Sequence, residues 1–320
     1  MNDFITECEI RISTVHELLN QNNEWRPKYK KYAEEINANI ETIKKNRKMF
    51  RQWKPLYLYM NITKARQIQF GLRYLGQDVA ILKAIKEKVF ISTKGFEMKN
   101  TRDFDCEISL KNCEWHSKDA KTFRKHFVEY AKPKKHHQEH RIESLLLTEF
   151  SKKSSKNKKI CKIQPVKIAG VARFPMPTPL SASKSGKVTI SNSSRGGIDI
   201  LTRIKMGNST KLCIMEVKDE NVSKEPPKKA VLQGLSYAIF IRELLRSSSG
   251  IMWWKIFGFS GKLPKHIELV VASVMPFDIN NDQSFGNHTF HFDDDSFQLH
   301  YLYFKETNNE IETIETSLKS

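Results

Sequence analysis

The feature of this sequence that most constrains its fold is an apolar run that ends in charged residues, Lys211–Lys218, which reads KLCIMEVK. The four apolar residues that follow Lys211 are typical of a central strand buried on both faces of a sheet. Because successive side chains of a strand point to opposite faces, Glu216 and Lys218 share one face and Val217 takes the other. Burying a carboxylate is costly unless its charge is compensated, and a bound divalent cation would do so. The run therefore predicts a core strand with a functional site at its end.

A second predicted strand precedes this run, over 197–205 in GGIDILTRIK, and it shows the same anomaly. Asp199 lies between two isoleucines, whose side chains take the opposite face of the strand. If a turn near Gly207 and Asn208 joins the two strands as a hairpin, Asp199 and Glu216 lie side by side. Paired carboxylates form a hard oxygen site that suits Mg²⁺ or Mn²⁺ better than zinc. The sequence thus predicts a magnesium site on this strand pair.

The order of these residues resembles the PD-(D/E)XK nuclease superfamily, which includes many restriction endonucleases and RecB-like exonucleases. The pattern here is Ile198-Asp199, sixteen intervening residues, and then Glu216-Val217-Lys218. Ile198 stands where the pattern that names the family has proline. The resemblance covers about residues 137–305 and leaves residues 1–130 outside it.

Two further motifs support the resemblance. An upstream helix, HRIESLLLTEF, carries Glu143, where such nucleases often have an additional carboxylate. The downstream helix contains QGLSY, from Gln233 to Tyr237, which is similar to the Q-x-x-x-Y element of the RecB-like branch. Gln233 and Tyr237 are four residues apart and therefore share one helical face. The order helix, three strands, helix, strand also matches the family core.

The resemblance implies a role for each residue of the strand pair. Asp199 and Glu216, together with the Val217 carbonyl, would bind Mg²⁺, with Mn²⁺ as a substitute. The ion would polarise the scissile phosphate and lower the pKa of a water molecule. Lys218 would hold or deprotonate that water and offset the charge that develops on phosphorus.

The resemblance also implies supporting roles outside the strand pair. Glu143 would complete the shell of a second ion or hydrogen-bond to a water in that shell. Gln233 and Tyr237 would support the site or touch the phosphate backbone. Four basic residues are predicted to contact DNA along with Tyr237: Arg195, Lys224, Lys228 and Lys229.

The charge of the chain favours a polyanionic partner. Lysine and arginine number 54 against 36 acidic residues, a formal net charge of +18. Phosphate contacts account for most non-specific affinity for nucleic acids, so DNA is the expected partner. A set of solvated lysine faces is the alternative explanation.

Other bulk features bear on location. The sequence has no apolar stretch of the roughly 18–20 residues that a membrane helix needs. Its first residues, MNDFITECEI, lack the basic and then apolar regions of a secretory signal. We therefore expect a cytoplasmic protein without a membrane contact.

The predicted fold class is α/β, with a restriction-endonuclease-like core in which helices flank a central mixed sheet. The predicted divisions are a mainly helical N-terminal domain for DNA recognition over 1–130, a basic linker and first core helix over 131–162, the nuclease core over 163–306 and a C-terminal tail over 307–320. Helices are expected at about 117–130, 137–150 and 227–246, and strands at 163–174, 187–191, 197–205, 212–218, 267–274 and 298–305. Within 66–92, residues 67–79 alternate in part like a hairpin that turns near Gly76, and the rest fits a helix followed by a short strand.

Three patterns outside the strand pair admit a functional interpretation beside a structural one. A loose set of possible zinc ligands comprises Cys106, Cys113, His116 and His126, and its spacing fits no finger or ribbon. The run from His136 to His140 matches the H-x-x-E-H zinc-peptidase pattern, but no third ligand is evident. Aromatic residues for stacking on bases are available in Trp253-Trp254 and in the basic tract 44–54, and the same residues could instead pack in the core or on a solvated helix.

Together these features predict a metal-dependent DNA endonuclease of restriction or anti-phage defence, which acts as a homodimer as many such enzymes do. A RecB-like exonuclease or repair nuclease would share the same site. An RNA-cutting effector and a catalytically silent DNA-binding module are further alternatives. Binding by the silent module would be sensitive to salt but independent of magnesium.

Overall fold

The computed structural model describes residues 2–46, 48, 54–62, 68–85, 88–132, 138–153, 158–182, 187–191, 197–219 and 225–318. The chain divides into two compact units. The first unit comprises 1–33, 145–166 and 175–320, and the second comprises 34–144 and 167–174. Within the described residues, no helix combines the length and apolar character that crossing a bilayer requires.

The described elements include both helices and strands. The helices are α1 (Asn2–Gln21), α2 (Trp25–Lys45), α3 (Glu97–Phe104), α4 (Lys118–Glu129), α5 (Gln138–Phe150), α6 (Pro227–Arg246) and α7 (Gly250–Ile256). The strands of the first half are β1 (Leu56–Ile62), β2 (Ile68–Tyr74), β3 (Gln77–Ile85), β4 (Lys88–Ser92), β5 (Cys113–Glu114), β6 (Ile163–Pro165), β7 (Lys167–Ile168), β8 (Ala172–Arg173) and β9 (Met176–Pro177). Those of the second half are β10 (Leu180–Ser181), β11 (Thr189–Ile190), β12 (Gly197–Ile198), β13 (Ile200–Met206), β14 (Ser209–Val217), β15 (Glu268–Pro276), β16 (Thr289–Phe292), β17 (Asp295–Thr307) and β18 (Glu310–Thr316).

The first unit is built on a mixed sheet with the strand order β16-β17-β15-β14-β13-β6, and β18 also pairs with β17. Strands β14, β15 and β17 are mutually parallel. Strand β13 joins β14 as an antiparallel hairpin in which Met206 pairs with Ser209. Gly207 in the turn has a φ of 56°, which glycine adopts without steric cost. The predicted hairpin is therefore confirmed, and the α/β class with it.

Helix α6 connects β14 to β15 and packs against both strands. It begins at Pro227, where proline is tolerated because the first N–H groups of a helix have no helical partner. Gly234 lets the helix approach the sheet closely, since a Cβ added there would lie 3.0 Å from Cγ1 of Val271 and 3.5 Å from Cβ of Glu216. The predicted helix 227–246 has the predicted bounds, and it lies directly over the end of β14.

Helix α1 packs against α6 within the first unit. Its buried apolar residues recur every three or four positions, as an amphipathic helix requires: Phe4, Cys8, Ile12, Val15 and Leu19. A buried ion network reinforces this packing. The Glu243 Oε1 atom lies 2.9 Å from Nδ1 of His16 on α1 and 2.6 Å from Nη1 of Arg242. Arg242 also donates from its Nε to Oδ2 of Asp295 over 2.7 Å.

The second unit contains its own sheet, with the strand order β5-β4-β3-β2-β1-β8-β7. Strands β2 and β3 form a hairpin around Leu75 and Gly76, both with positive φ, so the hairpin predicted near Gly76 is confirmed. The helix predicted after it is wrong, because β3 continues to Ile85 and pairs with β4. The structure differs here from the predicted mainly helical N-terminal domain. The centre of this region is a sheet, and residues 1–33 belong to the first unit instead.

Two more predicted segments differ from the structure. The strand predicted over 163–174 is broken into β6, which pairs with β13, and the hairpin β7–β8, which turns at Ala169 and Gly170 with positive φ. The predicted tail 307–320 contains β18, which pairs with β17 from Leu302 to Thr307.

The helix predicted over 117–130 is α4, and its Ser117 hydroxyl accepts the N–H of Ala120 as an N-cap.

Candidate active site

Asp199 and Glu216 meet at the open end of the β13–β14 hairpin. Asp199 lies at a bend between β12 and β13, directly before Ile200, which pairs with Met215. The backbone N–H of Val217 donates to Oδ2 of Asp199 over 2.8 Å. The aspartate is therefore tied to the end of β14, and its carboxylate lies where Glu216 and Lys218 leave the sheet.

Glu216 is a buried carboxylate, with 1% of its surface exposed. The ammonium of Lys218 donates to Oε1 of Glu216 over 2.7 Å, and the Lys218 side chain is itself only 11% exposed. The backbone N–H of Lys218 donates to the Val274 carbonyl over 2.9 Å, so the β14–β15 ladder extends to Lys218. Two charges removed from water are tolerated only when they are paired, as they are here.

Gln233 and Tyr237 lie on the face of α6 that covers this end of the sheet. Both residues are buried, and Nε2 of Gln233 donates to the Tyr237 hydroxyl over 3.2 Å. Burial, and secondly the Glu216 carboxylate, raises the pKa of Tyr237 well above its ordinary value. The hydroxyl therefore stays protonated. The burial of both side chains favours a supporting role over direct contact with a phosphate backbone.

Glu143 has a partner inside the second unit. Its Oε1 lies 2.9 Å from Nδ1 of His140, one helical turn earlier on α5. This hydrogen bond raises the pKa of His140 above its ordinary value. His136 and His137 of the peptidase-like pattern lie outside the described residues.

The predicted DNA contacts fall into three groups. Arg195 and Lys224 lie outside the described residues. Lys228 is half-buried, its ammonium lies 2.8 Å from Oδ2 of Asp282, and it packs over the Phe4 ring. Lys229 is exposed at the start of α6.

The tryptophan pair and the possible zinc ligands make packing and hydrogen-bond contacts within the fold. Trp253 is fully buried against Phe257, and Trp254 stacks on Phe259 at 3.9 Å between ring centroids. Nε2 of His126 lies 3.0 Å from the Phe104 carbonyl, and Cys106 is buried. Among the described residues, the cysteines and histidines of the possible zinc set are not gathered as ligands of one ion. Trp53 of the basic tract lies outside the described residues.

The donor atoms of the strand pair fit a hard divalent cation. The two candidate side-chain ligands are carboxylates, which Mg²⁺ and Mn²⁺ prefer, and the thiol of Cys213 on β14 leaves the face of the sheet opposite to Glu216. The Val217 amide holds Asp199 through its N–H, and ligation by the Val217 carbonyl stays a prediction. The arrangement supplies two negative groups to bind a cation and the ammonium of Lys218 beside them.

One residue of this region was missed by sequence reasoning. Ser273 pairs with Glu216 across β14 and β15, in the middle of an otherwise apolar strand. The only signal in the sequence was a polar residue inside the run LVVASVM, and the strand register was needed to place it.

The chain was compared with family models, with curated proteins and with solved structures, and none of these comparisons gives a match.

Proposed function

We propose that this protein is a Mg²⁺-dependent DNA endonuclease of the PD-(D/E)XK kind, and that the sheet of the first unit is a restriction-endonuclease-like core. The observation that supports it most is the grouping of Asp199, Glu216 and Lys218 at one end of a buried hairpin. Two hydrogen bonds hold this group, from the Val217 N–H to Asp199 and from Lys218 to Glu216. A core strand keeps two charged residues at its end at a cost in free energy, which a functional site would explain.

In this proposal Asp199 and Glu216 hold the cation. The bound ion would supply Lewis-acid polarisation of the scissile phosphate and favour attack by water. Lys218 is the group that changes partner. It neutralises Glu216 in the structure, and on turning to the phosphate its ammonium would offset the negative charge that develops there. Gln233 and Tyr237 hold the buried side of the site in place.

The Glu143 carboxylate is engaged by His140, with 2.9 Å between Oε1 and Nδ1. Its contribution to the metal site stays a prediction from the resemblance.

DNA is the proposed substrate because of the net charge of +18. Lys229 is exposed and available to a backbone phosphate. Lys228 would have to leave Asp282 before it could bind DNA. Contacts from Arg195 and Lys224, a homodimer and a cytoplasmic location remain parts of the proposal that rest on the sequence.

The test is cleavage of supercoiled plasmid, linear duplex, single-stranded DNA and RNA in the presence of Mg²⁺, Mn²⁺ or EDTA. Wild type is compared with Asp199→Asn and Lys218→Met, and with Glu310→Gln as a control that removes an exposed carboxylate from β18. We expect metal-dependent cutting of duplex DNA by the wild type and by Glu310→Gln, and loss of cutting in the other two variants. Metal-independent cutting, or full activity of Asp199→Asn, would refute the proposed site.

A RecB-like exonuclease is the second candidate, and the hydrogen bond between Gln233 and Tyr237 favours it. The same assay separates the two activities. An endonuclease nicks or linearises covalently closed plasmid. An exonuclease leaves the closed circle intact and degrades linear duplex from its ends.

A further inference from the structure

Ser273 lies beside Glu216 in the sheet of the first unit. The two residues are register partners in the parallel pair β14–β15, so their side chains leave the same face of the sheet. That face is the one covered by α6, because Gly234 approaches both Glu216 and Val271. Ser273 is fully buried there.

The Ser273 hydroxyl makes no hydrogen bond to any residue that the structure describes. A buried hydroxyl without a partner costs free energy, and native proteins keep few of them. Its neighbour on the other side, Tyr301 of β17, has its hydroxyl directed to Oε1 of Gln283 at 3.1 Å. The neighbouring charged acceptor on this face is therefore the Glu216 carboxylate.

A second donor to Glu216 is needed because Lys218 has two partners in the proposed function, Glu216 and the phosphate. In the structure Lys218 holds Oε1 of Glu216. If Lys218 turns to a phosphate, the Glu216 carboxylate loses this hydrogen bond. Ligands of metal ions are held in place by hydrogen bonds from residues behind them, and losing such a bond typically lowers metal affinity about 10- to 100-fold.

We propose that Ser273 is a positioning residue of the candidate metal site, and that its hydroxyl donates to the Glu216 carboxylate when Lys218 leaves it. This inference rests on the proposed function, because it assumes that Asp199 and Glu216 bind a divalent cation. Ser273 touches neither the substrate nor the reacting atoms in this role. It acts through Glu216 alone.

The role predicts a separation of stability from metal binding in Ser273→Ala. The metal-free variant should be as stable as the wild type or more stable, because the substitution removes a buried hydroxyl without a partner. Its affinity for Mn²⁺ should fall about tenfold or more. A purely structural hydroxyl would give the opposite result, a lower melting temperature and an unchanged affinity.

Thr202→Val is the matched control. Thr202 is a fully buried hydroxyl residue of β13 in the same sheet, and it pairs with Cys213, whose side chain leaves the face opposite to Glu216. Valine keeps the shape of threonine. We expect wild-type Mn²⁺ affinity for this variant.

The experiment measures Mn²⁺ binding by isothermal titration calorimetry and thermal unfolding with and without Mn²⁺, on the full chain and its Ser273→Ala, Thr202→Val and Asp199→Asn variants. Weaker binding by Ser273→Ala, with metal-free stability retained, supports the inference. If wild type binds Mn²⁺, Asp199→Asn does not, and Ser273→Ala binds like wild type, the inference about Ser273 fails while the proposed function stands. If wild type binds no Mn²⁺, both fail.

Discussion

The backbone N–H of Val217 donates to Oδ2 of Asp199 over 2.8 Å, and this bond fastens the residue before β13 to the end of β14. The aspartate therefore has a structural partner in addition to its proposed chemical role. The two roles respond differently to substitution, because an amide keeps an oxygen acceptor and a methyl group does not.

Asp199→Asn and Asp199→Ala should therefore differ in stability but not in activity. Asparagine can still accept from Val217, so we expect a free energy of unfolding close to wild type. Alanine leaves that N–H without its partner and should cost about 1–3 kcal/mol. Both variants should lose metal-dependent cleavage. Urea unfolding and the plasmid assay measure the two effects, and equal stability of the two variants would contradict the structural role.

Glu143→Gln should lower the pKa of His140 toward its ordinary value, because it removes the carboxylate that stabilises the imidazolium. NMR titration of the imidazole measures this effect in the wild type and in the variant. An unchanged pKa of His140 would show that Glu143 does not stabilise the imidazolium.

Gly234→Leu should destabilise the first unit. A Cβ at this position already lies 3.0 Å from Cγ1 of Val271, so a larger side chain overpacks the α6–β15 contact, at a cost of about 1–3 kcal/mol. Val271→Ala in the same chain removes the Cγ1 atom that the new side chain would contact, and it should restore part of the lost free energy of unfolding. Denaturant unfolding of the single and double variants tests this. A Gly234→Leu protein of wild-type stability would show that α6 can move away from the sheet.

His300 should make the protein less stable in acid. It is fully buried in β17 with Nδ1 3.0 Å from the Ser317 hydroxyl, and burial lowers the pKa of His300 from 6.5 to about 4. Because the folded-state pKa lies below the unfolded one, the stabilisation is complete above pH 6.5 and is lost as pH falls toward 4. The loss amounts to about 3 kcal/mol.

Urea unfolding from neutral pH to pH about 4 measures this loss, and His300→Gln serves as the variant that cannot titrate. The stability of wild type should fall more steeply than that of His300→Gln. Parallel pH profiles would mean that another group controls the acid transition.

The parts of the fold that sequence reasoning predicted have local signals. The β13–β14 hairpin combines an apolar run with a turn at Gly207, and α6 begins at a pair of prolines. The pairing of β1 with β8 in the second unit has no such signal, because β8 lies far along the chain and is only two residues long. A two-residue strand has no period to detect.

The candidate site likewise contains residues that the sequence predicted and residues that only the structure placed. Asp199, Glu216 and Lys218 break the apolar pattern of their own strands, so each is visible in the sequence. Ser273 becomes a candidate only through its register with Glu216, and the partner of Glu143 only through its contact with His140. Pairings between distant strands and the hydrogen-bond partners of single side chains require coordinates.

The division of the first unit into three chain segments sets the order in which it can be completed during synthesis. Helix α1 is made before its partner α6, which begins at Pro227, after the last segment of the second unit has ended at Phe174. The apolar face of α1 therefore stays without this partner until the chain has grown past all segments of the second unit. Slow translation between Phe174 and Pro227 would lengthen the time during which the apolar face of α1 is exposed. A chain shortened to begin at residue 145 would lack α1, and the surface of α6 that α1 contacts would be exposed.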